Sequence, residues 1–347
     1  MRRITLKLLI LFVPIGLPII AINYFVDPAN IFSGEEYIEG IANIMAKGHN
    51  VDNIANYDER LLQEQMIKRL HKAPDVVVLG SSRIMQINNS FFPGKTLLNC
   101  GVSHGNVNDI TAIVGALDSM KMLPGEMIIG LDHWLVGKEG TSEWQSLYAY
   151  HQYMMAKLFG SNSNSEESQQ PNPSRKLSSL VEFSYFKSSL KFMMENKSKK
   201  YVDVGLNSPT MYGRFSDGSI SYSKDYTNPD RQKLAIEARQ NAIDLGLPVP
   251  DLSKVKQLER LLDFLQQKKI KVHLIMVPLH PEFNKGVQQH HKQIVEEWTP
   301  VFNSIVTKHQ IPFSGSFNAE DVGMTGNDFY DAYHCSGVSI KKQIPIL

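Results

Sequence analysis

An excess of either charge is what this 347-residue sequence lacks. Its 36 lysines and arginines nearly cancel its 35 aspartates and glutamates. There is accordingly no broad basic field for a phosphate backbone, and pairs such as Lys199-Lys200 read as solvated surface. Nucleic acid is therefore not an expected partner. There are two cysteines, Cys100 and Cys335, so one disulfide is the most the chain can form. His273, His280, His290 and His291 show no metal-ligand spacing and read as packed or solvent-facing; no metal and no cofactor are expected. No internal repeat is visible. What remains is 42% hydrophobic and 20% charged, enough to bury a sizeable core in one large or two small domains.

The first residues depart from that average. Arg2, Arg3 and Lys7 precede an uncharged run from Leu8 to Val26, close to the ~20 residues needed to cross ~30 Å of hydrocarbon. The run predicts an uncleaved transmembrane helix through the bilayer at residues 8–26, kinked by Pro14 and Pro18. A cleaved signal would need a small-x-small site, which does not follow the run. By the positive-inside rule, residues 1–27 are a cytoplasmic tip and anchor and everything after Asp27 is exported. A buried N-terminal helix is the alternative.

Residues 28–73 read as a stalk and first helix, with Leu61, Leu62, Met66, Ile67 and Leu70 at helical spacing and Pro74 barring continuation. In the segment from 74 to 347, "DVVVLG", "KTLLNCG", "EMIIGLD" and "IKVHLIMVP" are apolar runs without alternation, as in parallel strands covered on both faces. Helices alternate with them, from about Asn106 to Met122 and over Ser253 to Lys268, which predicts a three-layer α/β domain. Ligands bind such sheets at the carboxyl ends of the strands. Gly80-Ser81-Ser82, Asn99-Cys100-Gly101 and Asp132-His133 all fall there.

Residues from about 139 to 250 differ in character and read as a helical insertion or cap. Gly160 to Lys176 is polar and proline-containing and reads as a mobile loop. The flanking segments are rich in aromatic residues and methionine, either packed as core or lining an acyl or glycan groove. Met211 to Tyr226 reads as a turn or hairpin around Asp217-Gly218.

A serine hydroxyl becomes a nucleophile when a base takes its proton and an acid fixes the tautomer of that base. Asp331 and His334, three residues apart near the C-terminus, supply both for Ser82. A capping role for Ser81 and Ser82 at the following helix is the plainer alternative.

Gly80-Ser81-Ser82 resembles the first block of the SGNH (GDSL-like) hydrolases. "NCGVSHGNVND" is similar to their second block, which bears the oxyanion glycine, and Asp331/His334 to their closing D-x-x-H. The resemblance implies an SGNH-like parallel sheet flanked by helices, with Ser82 as nucleophile, His334 as base and Asp331 as its partner. The third block, usually G-x-N-D, is here Gly130-Leu131-Asp132-His133. Asp132 thus stands where an oxyanion-donating asparagine is usual, and an ionised carboxylate would repel developing charge. Either Asp132 points elsewhere, or His133 or backbone N–H groups complete the hole. Gly105 and His104 occupy the position of the oxyanion glycine. Arg83 is either a ligand for an anionic group or partner, or half of a buried ion pair.

The likeness is greatest to the membrane-anchored branch that serves teichoic-acid D-alanylation and alginate O-acetylation. It implies acyl transfer to or from a cell-surface or exported glycan through a serine acyl-enzyme, at the bacterial cytoplasmic membrane, alongside a membrane-bound O-acyltransferase. A non-catalytic scaffold or glycan-binding subunit of such a complex is the competing reading. Cys100 and Cys335 should both lie near the site, paired or as two free thiols.

Overall fold

Each of the four apolar runs carries a strand. In the computed structural model, which describes residues 14, 16–28, 30–138, 143–160, 174–194, 200–245 and 247–344, they are β2 (Val76–Leu79), β3 (Leu97–Asn99), β4 (Glu126–Gly130) and β8 (Lys271–Met276). With β9 (Phe313–Gly315) they form a five-stranded parallel sheet in the order β3-β2-β4-β8-β9. All four side chains of β2 are fully buried and divide by alternation between two cores: Val77 and Leu79 face one, Val76 and Val78 the other. Each such side chain contributes roughly 1.5–3 kcal/mol relative to exposure.

The two covering layers differ. One is helical. Val107–Ser119 begins with a capping box of Asn106 and Asp109, and Leu252–Gln267 buries Leu258, Leu261, Leu262 and Leu265 at helical spacing. Residues 34–68, read as a stalk and first helix, pack into this same core through the helices Gly34–Met45 and Glu59–Lys68. The other layer consists largely of 3-10 turns and short pieces, including Ile84, Ile87, Phe329, Cys335 and Ile340. This second layer carries the candidate site.

Two expectations need correction. First, the single parallel sheet is joined by a second, antiparallel one of order β5-β1-β6-β7. It comprises β1 (Asn50–Asp52), β5 (Val202–Gly205), β6 (Gly213–Arg214) and β7 (Ile220–Ser221). The insertion at 139–250 is therefore not purely helical. Its strands are too short for alternation to show, and polar contacts organise them: Asp52 accepts from Thr210 N (2.8 Å), Thr210 Oγ1 (2.9 Å) and Met211 N (3.0 Å). Buried Arg214 fastens this sheet to the helical layer, donating to Glu59 Oε1 at 2.7 Å and Tyr57 Oη at 2.8 Å.

Second, the transmembrane helix drawn at 8–26 is not part of the described fold. Among the described residues no helix is long and apolar enough to cross a membrane; residues 8–13 and 15 lie outside them. Residues 16–26 are helical. Asn23 there is fully buried, with Nδ2 at 3.2, 2.9 and 3.3 Å from the carbonyls of Ser179, Leu180 and Glu182. Tyr185 Oη donates to Asp27 Oδ1 at 2.6 Å. An uncharged count treats Asn23 as neutral filler, whereas in the fold its amide joins this segment to the helices Ser174–Val181 and Phe183–Met194.

The polar loop read at 160–176 lies outside the described residues from 161 to 173, and residues 174–176 open the helix Ser174–Val181. Of the aromatic segments around it, Tyr148–Phe159 lies against Val107–Ser119 so closely that a side chain at Gly115 would meet the Tyr150 carbonyl at 2.3 Å. Phe183–Met194 leaves Phe183, Met193 and Met194 exposed.

Candidate active site

The turn after β2 answers why a strand should end in two hydroxyls: they have different duties. Gly80 sits at φ +148, where a side chain is strained. Ser81 then caps the 3-10 turn Ser82–Ile84, its Oγ accepting from Arg83 N at 3.3 Å and donating to Asp132 Oδ2 at 2.7 Å. Ile84 fills a niche made by three strand-end glycines. A Cβ would lie 3.0 Å from it at Gly80, 2.6 Å at Gly101 and 2.7 Å at Gly130. Those glycines allow the turn to sit flat on the sheet edge, so that Ser81 is buried and Ser82 half-buried.

From 252 residues away, His334 Nε2 comes to 2.8 Å from Ser82 Oγ. Its Nδ1 lies 2.8 Å from Asp331 Oδ2. Asp331 Oδ1 accepts the backbone N–H groups of Tyr333 and His334, each at 2.7 Å. Burial raises the Asp331 carboxyl's pKa, but His334, the Tyr226 hydroxyl and the Tyr333 amide outweigh it and hold that pKa well below the ordinary carboxylate range. An ionised Asp331 only accepts, so Nδ1 carries the proton and Nε2 is left as acceptor for the Ser82 hydroxyl. Gln86, four residues after Ser82, fastens the far segment: its Nε2 donates to the Cys335 carbonyl at 2.8 Å and its Oε1 accepts from Gly337 N at 3.1 Å.

The residues considered for the oxyanion hole are placed differently. Asp132 is buried with both oxygens engaged, Oδ2 by Ser81 and Oδ1 by the N–H groups of Trp134 and Leu135, both at 3.1 Å. It closes its own turn and so points away from Ser82. His133 packs against Phe317, Trp298 and Phe302 at ring separations of 4.2, 5.1 and 5.3 Å. Gly105 does touch the nucleophile turn, since a Cβ there would meet the Gly80 carbonyl at 2.6 Å. Its N–H, however, donates to the Val102 carbonyl at 3.0 Å. His104 is exposed at φ 53. Arg83 is buried, donates to the Tyr333 and Val277 carbonyls and lies over the Trp134 ring. Its Nη1 has no hydrogen-bond partner among the described residues. The chain thus gathers Ser82, His334 and Asp331 and not the third-block residues.

Both thiols are free and buried. They face opposite cores, Cys100 with the helical layer and Cys335 with the 3-10 layer. Burial pushes Cys335 up to about 12, so it is a packing residue and not a nucleophile. Among the described residues no group of three His, Cys, Asp or Glu is placed to hold a metal ion. His273 faces Ser314 Oγ at 2.9 Å, and His280 caps the helix Pro281–His290.

The sequence reading missed an aromatic wall. Tyr226 Oη lies 2.6 Å from Asp331 Oδ2 and 3.2 Å from His334 Nδ1. Tyr222 and Tyr330 pack on Tyr226 at 4.7 and 5.8 Å, and Tyr222 lies 6.3 Å from the His334 ring. Tyr222 and Tyr226 come from the segment read as a hairpin, four residues apart, with nothing local that ties them to Asp331.

No curated protein matches the chain. Residues 143–347, more than half of the chain, include Tyr226, Asp331 and His334 though not Ser82, and they match the family described as protein of unknown function (DUF1574); the chain belongs to that family.

Proposed function

We propose that the protein is a serine-dependent O-acyltransferase or esterase acting on an exported or cell-surface glycan. The observation that carries the reading is the continuous relay from Ser82 Oγ through His334 to Asp331, each link 2.8 Å long. Ser82 Oγ attacks the carbonyl carbon of an acyl donor as its proton passes to His334 Nε2. Asp331 stabilises the imidazolium that forms. The tetrahedral intermediate collapses when Nε2 returns that proton to the departing oxygen or sulfur, leaving an ester on Ser82. A sugar hydroxyl, or water in an esterase, then attacks the ester with His334 again as base, and Ser82 is restored. The glycan and a membrane-bound O-acyltransferase partner come from the SGNH resemblance of the G-S-S and D-x-x-H blocks.

One observation favours the competing scaffold role: Gly105 N–H and Asp132 are both engaged elsewhere, and a missing oxyanion donor costs about 2.7–4 kcal/mol of transition-state stabilisation. Acylation of the surface glycan in strains carrying Ser82→Ala or His334→Ala decides between them. The catalytic role predicts loss of acylation with normal protein levels. A scaffold predicts normal acylation in both strains and loss on deletion of the gene.

A further inference from the structure

A second recess lies on the same sheet edge as Ser82. At the carboxyl ends of β8 and β9 a cleft of about 720 Å3 opens beside the helix Lys292–His309, with His133, Trp298, Phe302 and Phe317 at its floor. That volume is in the range of small-molecule sites. Asn303 and Thr307 stand exposed on one wall, and Ser316 and Asn318 half-buried on the other. Nothing in the proposed acyl transfer uses these residues.

The lining chemistry narrows the ligand. Among the described residues that line the cleft there is no lysine or arginine, and Asp321 is its one carboxylate. A phosphate, sulfate or uronate would find no counter-charge. His133 is 4% exposed, and its Nδ1 is buried with no hydrogen-bond partner among the described residues. Burial, with Arg83 nearby, lowers its pKa to about 3, so the ring is neutral at working pH. A hydrocarbon chain would cover the exposed Asn303 amide and Thr307 hydroxyl without pairing them. A neutral sugar ring suits this lining, since a C–H face can lie against exposed Phe313 and half-buried Phe317 while its hydroxyls donate and accept at Asn303 and Thr307.

We infer that this cleft binds an uncharged sugar unit of a polysaccharide. It is joined to the nucleophile turn, because Asp132, which precedes His133, accepts from Ser81 Oγ at 2.7 Å. β8 lies two strands from β2, roughly 10 Å at ordinary strand spacing. A chain held in the cleft therefore extends toward Ser82. That last step rests on the acyl-transfer reading, while sugar binding itself does not.

The test is calorimetric titration of the full chain with neutral hexasaccharides (maltohexaose, cellohexaose and the N-acetylglucosamine hexamer) and with an anionic galacturonate hexamer. At least one neutral hexamer should bind, and the anionic one should not. Asn303→Trp, which fills the cleft from an exposed position, should weaken binding at least ten-fold while keeping the far-ultraviolet spectrum and melting temperature of the unmodified chain. Ser82→Ala should bind as the unmodified chain does. The inference is overturned by absence of neutral binding, by tighter binding of the anionic hexamer, by binding indifferent to Asn303→Trp, or by binding lost in Ser82→Ala. Sugar binding through the cleft by a chain whose Ser82 proves unreactive would leave this inference standing and remove the catalytic one.

Discussion

The Tyr226 hydroxyl donates to Asp331 Oδ2 at 2.6 Å, on the same oxygen that faces His334 Nδ1 at 2.8 Å. Asp331 is therefore held from two sides, by the histidine it orients and by a tyrosine from a segment more than a hundred residues earlier. Charge-assisted bonds of this type are worth about 1.5–3 kcal/mol. Tyr226→Phe should lower kcat for an ester substrate about ten-fold with little change in KM, because part of that bond is felt when His334 becomes charged. Asp331 is a depressed carboxyl, so its stabilisation is present above the unfolded value of ~3.9 and lost as pH falls through its folded value. Removing the Tyr226 contact brings the two values closer, and acid unfolding of the variant should begin at higher pH. An unchanged kcat would show that Tyr226 only packs.

Gly105 offers a test of the nucleophile turn that leaves its chemistry untouched. A methyl at this position would stand 2.6 Å from the Gly80 carbonyl and 3.0 Å from that of Val102, both backbone atoms that cannot swing aside. Gly105→Ala should cost on the order of 1–3 kcal/mol in denaturant unfolding and displace Ser82 enough to lower ester turnover. Native stability and rate in this variant would mean that the turn has more room than the structure gives it.

Two buried histidines set a pH dependence of folding. Burial lowers His133 to about 3 and His151 to about 4, against an ordinary 6.5. Both folded values are depressed, so the unfolded chain binds protons first. Their stabilisation is complete above pH ~6.5 and is lost as pH falls toward the folded values. At pH 4.5 each should cost about 2 kcal/mol relative to pH 7. His151 sits 4.3 Å from the Trp144 ring with Nε2 3.3 Å from Asn108 Oδ1, and phenylalanine keeps an aromatic ring there while removing the titration. Urea unfolding of His151→Phe should therefore lose about 2 kcal/mol less than the unmodified chain between pH 7 and pH 4.5. Equal losses would contradict this.

Much of this site was legible in the sequence because its signals are local. Val76 to Leu79 reads as a buried parallel strand from its own composition, and Asp331-x-x-His334 is set by spacing within one turn. β9 was not legible, since Phe313-Ser314-Gly315 is three residues long with Phe313 exposed. The antiparallel sheet was not either: β1 and β5 to β7 are two to four residues each, held by Asp52 and Arg214 instead of by an apolar pattern. Asp132 shows which of the courses open to the third block the fold takes. Position on the strand end suggests a ligand-facing group, yet the side chain is taken up by Ser81 and by the N–H groups two and three residues ahead. That is a turn-closing habit of aspartate. Tyr226 carried no signal, because only the folded chain brings it to Asp331.

The central claim is that Ser82 becomes acylated, and mass spectrometry of the intact chain tests it most directly. After exposure to a fluorophosphonate, or to an activated acyl ester with acid quenching, one adduct should appear and map to the peptide containing Ser82. Ser82→Ala should remove it while leaving the turn in place, because Ser81 and not Ser82 caps that turn. His334→Ala should slow its formation at least a hundred-fold, as expected when a serine loses its general base, and Asp331→Asn should slow it less. An adduct that forms equally in Ser82→Ala, or a Ser82 that stays unmodified while the unmodified chain still turns over ester, would contradict the account.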